Sequence, residues 1–438
     1  MDILIAGAGT VGFNLARTLS VGHNVIVIDR NVEALERLQE SLDILTIRGD
    51  IEDPSTYKKI IDKNIDLFIA VTDTDEANII SIIIANDTIK IKRKFIRLKN
   101  KFFAKTSIKE KIGIDKTIFP LRITSQTIGT LIQYPKSNNV KSFKYTDFKL
   151  ISVRVSNNVK PFTPNYENVA IVGVERGKFF YIPKKNETIY PNDLVYLFGT
   201  DEDVRKILSI LDTDTPTKIQ RCVVYGASAL GIAIATILIE NDIEVKIIEK
   251  DIKLCELAEE KLGGVATIIN SIYSSKTLYE EEGLSHADMI IVATANDEYN
   301  IVKSMELKEH GANKVVAINN EIEYYNLMHS LGIIVVRGPK MSAYNAILEN
   351  INSHGVITER IYCGGKATIY MHKIFEGSKY IEKFAKPFHL LDNMSLYIIR
   401  DEKLIALNEK IVILEKDTII SFSVTELAPK AKVWMYGL

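Results

Sequence analysis

The chain has 438 residues, 46% of them hydrophobic and 25% charged, with 55 lysines and arginines against 56 aspartates and glutamates for a formal net charge of -1. These are the proportions of an ordinary globular chain, which excludes disordered and fibrous classes and argues against a dedicated nucleic-acid binder with a basic face or tail. The length implies about two to four domains.

The opening residues MDILIAGAG run straight into an apolar strand without a basic segment, so no secretory leader is expected. Strands are expected near 2–6, 24–29, 43–47, 66–71 and 93–97, alternating with helical segments such as FNLARTLSVG. That order implies a parallel sheet covered by helices on both faces. The most apolar runs, Leu67 to Val71 and Met289 to Ala293, are strand-length and well short of the roughly 20 residues of a membrane-spanning helix. After about Pro135 the character changes to short runs, KLISVRV, VAIVGVERG, KFFYIP and DLVYLFG, ending in the helical DEDVRKILSIL. This predicts a small β-rich α+β domain. The linker DTDTPTK (212–218) divides the chain into halves, and TIYMHKIF, SLYIIRDEK, KIVILEKD and TIISFSV repeat the small-domain theme at the end.

The halves resemble each other. ILIAGAGTVG (3–12) matches CVVYGASALG (222–231), NVIVIDRN with Asp29 matches EVKIIEKD with Glu249, and DLFIAVTDTDEAN (66–78) matches DMIIVATANDEYN (288–300). Gly7 and Gly226 are 219 residues apart, Asp75 and Asp297 are 222 apart, and landmarks held at nearly one offset mark a tandem duplication. The expected fold class is α/β, a Rossmann-like parallel-sheet domain followed by a small β-rich α+β domain, twice over. The expected domains are 1–135, 136–215, 219–355 and 356–438.

The first loop is the full motif Gly7-Ala8-Gly9-Thr10-Val11-Gly12. Gly7 allows the tight strand-to-helix turn, Gly9 lacks a side chain where backbone must approach a pyrophosphate, and Gly12 lets the helix pack on the strand. The helix N-terminus then offers free N–H groups and partial positive charge to phosphate. Asp29 stands where an acid accepts ribose hydroxyls and repels a 2′-phosphate, favouring NAD(H) over NADP(H). Arg30 could stack on adenine, tolerate a phosphate or stay solvated, and the acid is expected to dominate. Asp50, in Arg48-Gly49-Asp50, lies near an adenine amino group or the second ribose hydroxyl, or is a turn aspartate.

The second copy departs from this pattern. Gly226-Ala227-Ser228-Ala229-Leu230-Gly231 puts Ser228 at the close-approach position, and Ile269-Asn270-Ser271 replaces the Arg-Gly-Asp segment, losing the counterpart of Asp50, while Glu249 keeps the ribose acid. This site is expected to be weaker, altered or vacant. Thr72, Asp75, Glu76 and Asn78 recur as Thr294, Asp297, Glu298 and Asn300. Asp73 with Glu76 fits a capping box, yet the element stands at the carboxyl end of the fourth strand, beside the nucleotide crevice. Thr72 is expected to line the pocket, with the acids and Asn78 partly structural. Arg97, closing the fifth strand, could reach phosphate or a neighbouring subunit, or be a surface arginine.

A dehydrogenase also needs a proton donor or acceptor beside the nicotinamide. The seven histidines, His23, His286, His310, His329, His354, His372 and His389, form no pairing that reads as a relay or metal set. No nucleophile elbow or P-loop lysine appears. Cys222, Cys255 and Cys363 are odd in number and far apart, so a reducing cytoplasm is the default compartment. Binding machinery recurs and catalytic machinery does not, which favours a sensor; the competing class is a cytosolic NAD(H)-dependent oxidoreductase.

The tandem GAGTVG…IDR…RGD…VTDTDEAN unit, its small β-rich domain and its degenerate second copy resemble the TrkA family, the nucleotide-binding regulatory subunits of Trk-type potassium uptake systems, built of two RCK (KTN) modules. The resemblance spans essentially the full length. PNDLVYLFGTDEDV (191–204) and EKDTIISFSV (415–424) are similar to the family's small-domain ending. It implies a non-enzymatic cytoplasmic protein, peripheral on the inner face of the cell membrane, bound to a TrkH- or TrkG-like potassium channel subunit and not to nucleic acid. It implies a homo-oligomer, a dimer or tetramer forming a ring of modules, gated by NAD(H), with ATP or ADP as further nucleotides. The implied nucleotide contacts are Gly7, Gly9, Thr10, Val11, Asp29, Arg30, Asp50, Thr72, Asp73 and Arg97, and in the second copy Gly226, Glu249 and Thr294, with Ser228 and Ser271 as departures. SQTIGTLIQY (125–134) corresponds to the family's crossover helix, where modules dock.

Overall fold

A computed structural model describes residues 1–437 except 101, 104–106, 144–145, 185, 273–275, 353–356, 379, 384–392 and 409. His354, His389 and the boundary expected at 355–356 lie outside the described residues. The chain separates into two compact units, residues 1–124 with 337–351, and residues 125–336 with 352–438.

The first unit is built on β1 (Asp2–Ala6), α1 (Thr10–Leu19), β2 (Asn24–Asp29), α2 (Val32–Ser41), β3 (Leu45–Arg48), α3 (Pro54–Lys58), β4 (Asn64–Ala70), α4 (Asp75–Thr88), β5 (Lys90–Arg97) and β6 (Lys116–Ile118). The strands form one sheet in the order β3-β2-β1-β4-β5-β6, parallel throughout. Their interiors are continuously apolar because both faces are covered: Ile3, Leu4, Ile5 and Ala6 are fully buried, as are Leu67 to Ala70. β6 has only three residues, too few to leave a periodic signal in the sequence.

Beside α1 and α2, one helix in a covering layer of this sheet comes from far along the chain. In the helix Pro339–Asn352, Ala343, Ile347 and Ile351 recur every fourth residue and join the core of Ile3, Ile5, Leu15 and Ile69. The Tyr344 hydroxyl also meets Thr18 Oγ1 at 2.8 Å.

The second unit holds a second six-stranded sheet with the same order of strands: Thr267–Asn270, Glu244–Glu249, Arg221–Tyr225, Met289–Val292, Val315–Asn319 and Ile334–Arg337. It also holds two five-stranded sheets, each antiparallel in every described pairing. These face each other through Phe143, Phe148, Tyr196 and Phe198 of one and Tyr362, Ile369, Ile420 and Phe422 of the other, with the rings of Phe198 and Phe422 5.1 Å apart and edge-on. The duplication is therefore visible as two parallel sheets, each followed by an antiparallel one.

KIVILEKD is expected to be a strand of the last sheet, and the structure corrects this. The strand Thr418–Val424 follows directly, and the apolar run holds a single bridge residue, Val412, and is otherwise irregular. Arg400 Nη2 donates to Val412 O at 2.6 Å and Leu414 N donates to Asp417 Oδ2 at 2.8 Å.

Candidate nucleotide site

The first sheet opens at its carboxyl edge between β1 and β4, where the strand order reverses and α/β sheets bind ligands. A cavity of about 600 Å³ lies there, within the size range of small-molecule and cofactor sites. Gly7, Gly9, Thr10, Val11, Asp29, Arg30, Asp50, Thr72, Asp73 and Arg97 all line it.

The three loop glycines are glycine for different reasons. Gly7 has φ 110°, a backbone conformation that side chains oppose. A Cβ on Gly12 would lie 1.8 Å from Gly7 O, so only glycine lets α1 start against the turn. Gly9 has an ordinary φ of -65°, and a Cβ on it would meet nothing within 4 Å. Neither the backbone nor the packing of the protein requires glycine at that position. Its bare Cα opens on the cavity, which fits a pyrophosphate lying against the loop.

Asp29 carries the loop as well as lining the cavity. Its Oδ2 accepts the Ala8 amide at 2.6 Å and its Oδ1 the Asn31 amide at 2.8 Å, so the carboxylate fixes the Gly loop onto the end of β2. Its remaining lone pairs suit ribose hydroxyls. Asp50 both lines the cavity and caps its own turn, Oδ1 accepting the Glu52 amide at 2.9 Å.

Across the crevice, Asn78 is 1% exposed. Its Oδ1 accepts the Thr72 amide (2.9 Å) and hydroxyl (2.7 Å), and its Nδ2 donates to Thr72 O and Arg97 O. Asp75 accepts the amides of Lys99 and Asn100. These two residues thus tie the ends of β4 and β5 together, leaving Thr72 and Asp73 on the cavity wall. The capping box expected of Asp73 and Glu76 does not form: α4 starts one residue later, with Thr74 as N-cap, and the Asp73 carboxylate turns to Arg97 (3.3 Å) and Lys99 (3.8 Å). Arg97 is 7% exposed, and its Nε is buried without a hydrogen-bond partner. A buried guanidinium with donors to spare in the wall of a cavity suits an anionic group such as phosphate.

Sequence reasoning missed Lys340, which lines the same cavity from the distant helix Pro339–Asn352. A signal existed, since Pro339 follows Pro120 by 219 residues, the offset of the two Gly loops. Asn31, Gly49 and Glu52 were also missed, being ordinary turn residues in the sequence.

The second sheet keeps the scaffold. Gly226 has φ 108°, a Cβ on Gly231 would lie 1.9 Å from Gly226 O, and Thr294 is braced by Asn300 as Thr72 is by Asn78. Glu249 is 4% exposed, and accepts the amides of Ala227, Lys250 and Asp251. Strand register moves one expected correspondence. Asp29 pairs with Arg48 as Glu249 pairs with Asn270, so Asp50 corresponds to Ile272 and not to Ser271. Asn78 bonds Arg97 O as Asn300 bonds Ile318 O, so the buried arginine becomes a buried isoleucine. Where the first site has Gly9, Asp50 and Arg97, the second has Ser228, Ile272 and Ile318.

Among the described residues no group of three or more His, Cys, Asp or Glu is placed to hold a metal, and no helix is long and apolar enough to cross a membrane.

The TrkA-N domain family matches residues 3–120 and again 222–339, and the TrkA-C domain family matches 159–212. A Trk system potassium uptake protein TrkA homolog of Archaeoglobus fulgidus is 29% identical over 79% of this chain and 80% of its own length. TrkA homolog 1 of Methanosarcina mazei is 24% identical over 99% of both. Among solved structures, the GsuK channel bound to NAD aligns over 100% of this chain and 79% of that one, with a TM-score of 0.63 and 16% identity. The same channel bound to ADP aligns over 80% of this chain and 69% of that one, with a TM-score of 0.53 and 14% identity. At these identities the structures share the fold.

Proposed function

The chain belongs to the TrkA family of potassium-uptake regulatory proteins, and on that premise we propose that it is a nucleotide-sensing regulatory subunit that binds NAD(H) in its first Rossmann-like domain and gates a Trk-type potassium channel. The observation that carries the reading is Gly9, a glycine that neither backbone nor packing demands, opening on a cavity of about 600 Å³ at the strand-order reversal. In this reading the pyrophosphate lies on Gly9 and the first amides of α1, a ribose on Asp29, and Arg97 and Lys340 meet the negative charge. Ser228, Ile272 and Ile318 leave the second domain as a scaffold with weak or no nucleotide binding. ATP and ADP offer the same phosphates and adenine, and compete for the site.

A ligand moves a conformational equilibrium only through different affinities for its two states. Here the cavity wall includes Lys340, from a helix of the second half, so a nucleotide drawing that lysine inward distinguishes the arrangements of the helix. Coupling of this kind is typically ~1–3 kcal/mol. The channel partner is a TrkH- or TrkG-like membrane subunit, reached from the cytoplasmic face by a dimer or tetramer of this chain.

The test is calorimetric titration with NADH, NAD, ATP and ADP, paired with potassium flux in cells bearing the membrane subunit. Gly9→Val should leave folding intact, remove high-affinity binding, and remove nucleotide control of flux. Nucleotide control that survives the loss of binding would sink the gating reading. Consumption of NADH by the purified protein with a candidate substrate would point to an oxidoreductase instead.

A further inference from the structure

A second cavity, of about 250 Å³, lies in the second unit between the first antiparallel domain and the amino-terminal edge of the second parallel sheet. Four cationic side chains line it: Lys136 and Arg154 from the first, Lys308 and Lys314 from the second. Among the described residues none of the four forms an ion pair with a carboxylate. Their hydrogen bonds go to backbone carbonyls instead. Lys136 Nζ donates to Asp212 O and Thr215 O, Lys308 Nζ to Leu331 O and Gly332 O, and Lys314 Nζ to Pro135 O and Ser137 O.

An ammonium has three donors and a guanidinium five, so each of these groups keeps at least one. Arg154 spends Nη1 on Asn192 O at 2.9 Å, and its Nε is buried with no partner. The acids that act on them are partly committed elsewhere: Asp212, which acts on Lys314, spends Oδ1 on the amides of Asp214 and Thr215, while Glu175 and Asp193, which act on Arg154, are paired with His329, Lys366 and Arg176. Lys314 is 4% exposed. Its burial pulls its pKa down to about 7 against the opposing pull of Asp212. Partial desolvation, and then the charge of Arg154, lower the pKa of Lys308. Four basic side chains thus share the lining with two acids, Asp212 and Asp214, and none is ion-paired to either; this surplus of positive charge, held at a desolvation cost, suits an anion.

We propose that this cavity binds a small oxyanion, inorganic phosphate or a phosphate monoester, and that the ligand staples the first antiparallel domain to the second parallel sheet. The cavity is smaller than the ~300–1,000 Å³ of drug-sized sites and less than half the volume of the Gly-loop cavity, so its occupant is far smaller than a dinucleotide. The site shares no residue with the Gly-loop crevice and stands whether or not the gating reading does.

The experiment uses the full chain carrying Gly9→Val, so that phosphate cannot report on the Gly loop. Thermal unfolding and calorimetry are followed with inorganic phosphate, and separately with AMP, against sodium chloride at equal ionic strength. Saturable stabilisation by phosphate beyond that of chloride is expected, with affinity at least tenfold weaker in Arg154→Gln and in Lys308→Gln. Lys308 is solvent-exposed, so its variant carries the test should Arg154→Gln fail to fold. A response to AMP alone with the same variant sensitivity would identify an ester as the occupant. A phosphate effect no larger than that of chloride, or one unchanged in Lys308→Gln, would overturn the proposal.

Discussion

At Gly12 a methyl group would land 1.8 Å from the Gly7 carbonyl, whereas at Gly9 it would stand in open space. The two positions therefore separate folding from binding within one loop. Gly12→Ala is expected to push α1 off β1 and lower the unfolding free energy by about 1–3 kcal/mol, the usual range for overpacking. Gly9→Ala should leave the denaturation midpoint unchanged while weakening NADH binding, and urea denaturation beside calorimetry of the two variants checks this. The same contrast explains what could be read here without coordinates. The spacing of three glycines and an acid specifies the motif, but the commitment of Asp29 to the amides of Ala8 and Asn31 leaves no mark in the sequence. Asp29→Ala therefore disturbs the loop together with any ribose contact, and Gly9 is the cleaner probe.

Each antiparallel domain is locked by one bidentate arginine. Arg176 grips Asp193 at 2.9 and 2.8 Å and reaches Thr188 O, and Arg400 grips Asp417 at the same distances and reaches Val412 O. Each aspartate is 1% exposed and also accepts a loop amide, of Tyr190 or Leu414. Removing one partner of a buried pair costs about 3–5 kcal/mol, so Asp417→Ala should lower stability by that order and loosen the loop before Thr418, read by hydrogen exchange at Leu414. This pair also shows where sequence reading stops. The long alternation of strand and helix in the parallel domains is legible from periodicity, down to the carboxyl-edge position of Thr72. KIVILEKD has the composition of a strand, but its backbone groups bond to Arg400 and Asp417, side chains whose approach is a tertiary event. Lys340 was hidden for a related reason, since its helix serves a sheet that begins more than 300 residues earlier.

Within the second unit, Glu175 joins the first antiparallel domain to its surroundings. Oε1 meets His329 Nδ1 at 3.0 Å, while Oε2 accepts the Cys363 thiol at 3.0 Å and lies 3.3 Å from Lys366 Nζ. Burial alone would raise the pKa of this carboxyl, but the hydrogen bond and charge of His329, then Cys363 and Lys366, hold it down at about 2. A carboxyl depressed in the folded state contributes stability that is complete above its unfolded pKa, ~4.3 for a glutamate, and lost as pH falls through its folded value. Unfolding titrations between pH 6 and about 2 should therefore show an acid-side loss of stability that Glu175→Gln reduces; an unchanged acid limb would remove Glu175 from the account. The helix carrying Ala343, Ile347 and Ile351 has a different consequence, one of timing. On one face of the first parallel sheet the layer begun by α1 and α2 is incomplete until residues 337–351 have been made. At about 5–20 residues per second of synthesis, a nascent chain that has completed β6 waits on the order of 10–45 s with one apolar face of its first domain only partly covered. A ribosome stalled in the linker at 212–218 holds half a protein whose missing piece is still unread message, and chaperone occupancy on such stalled chains should fall only once the helix emerges.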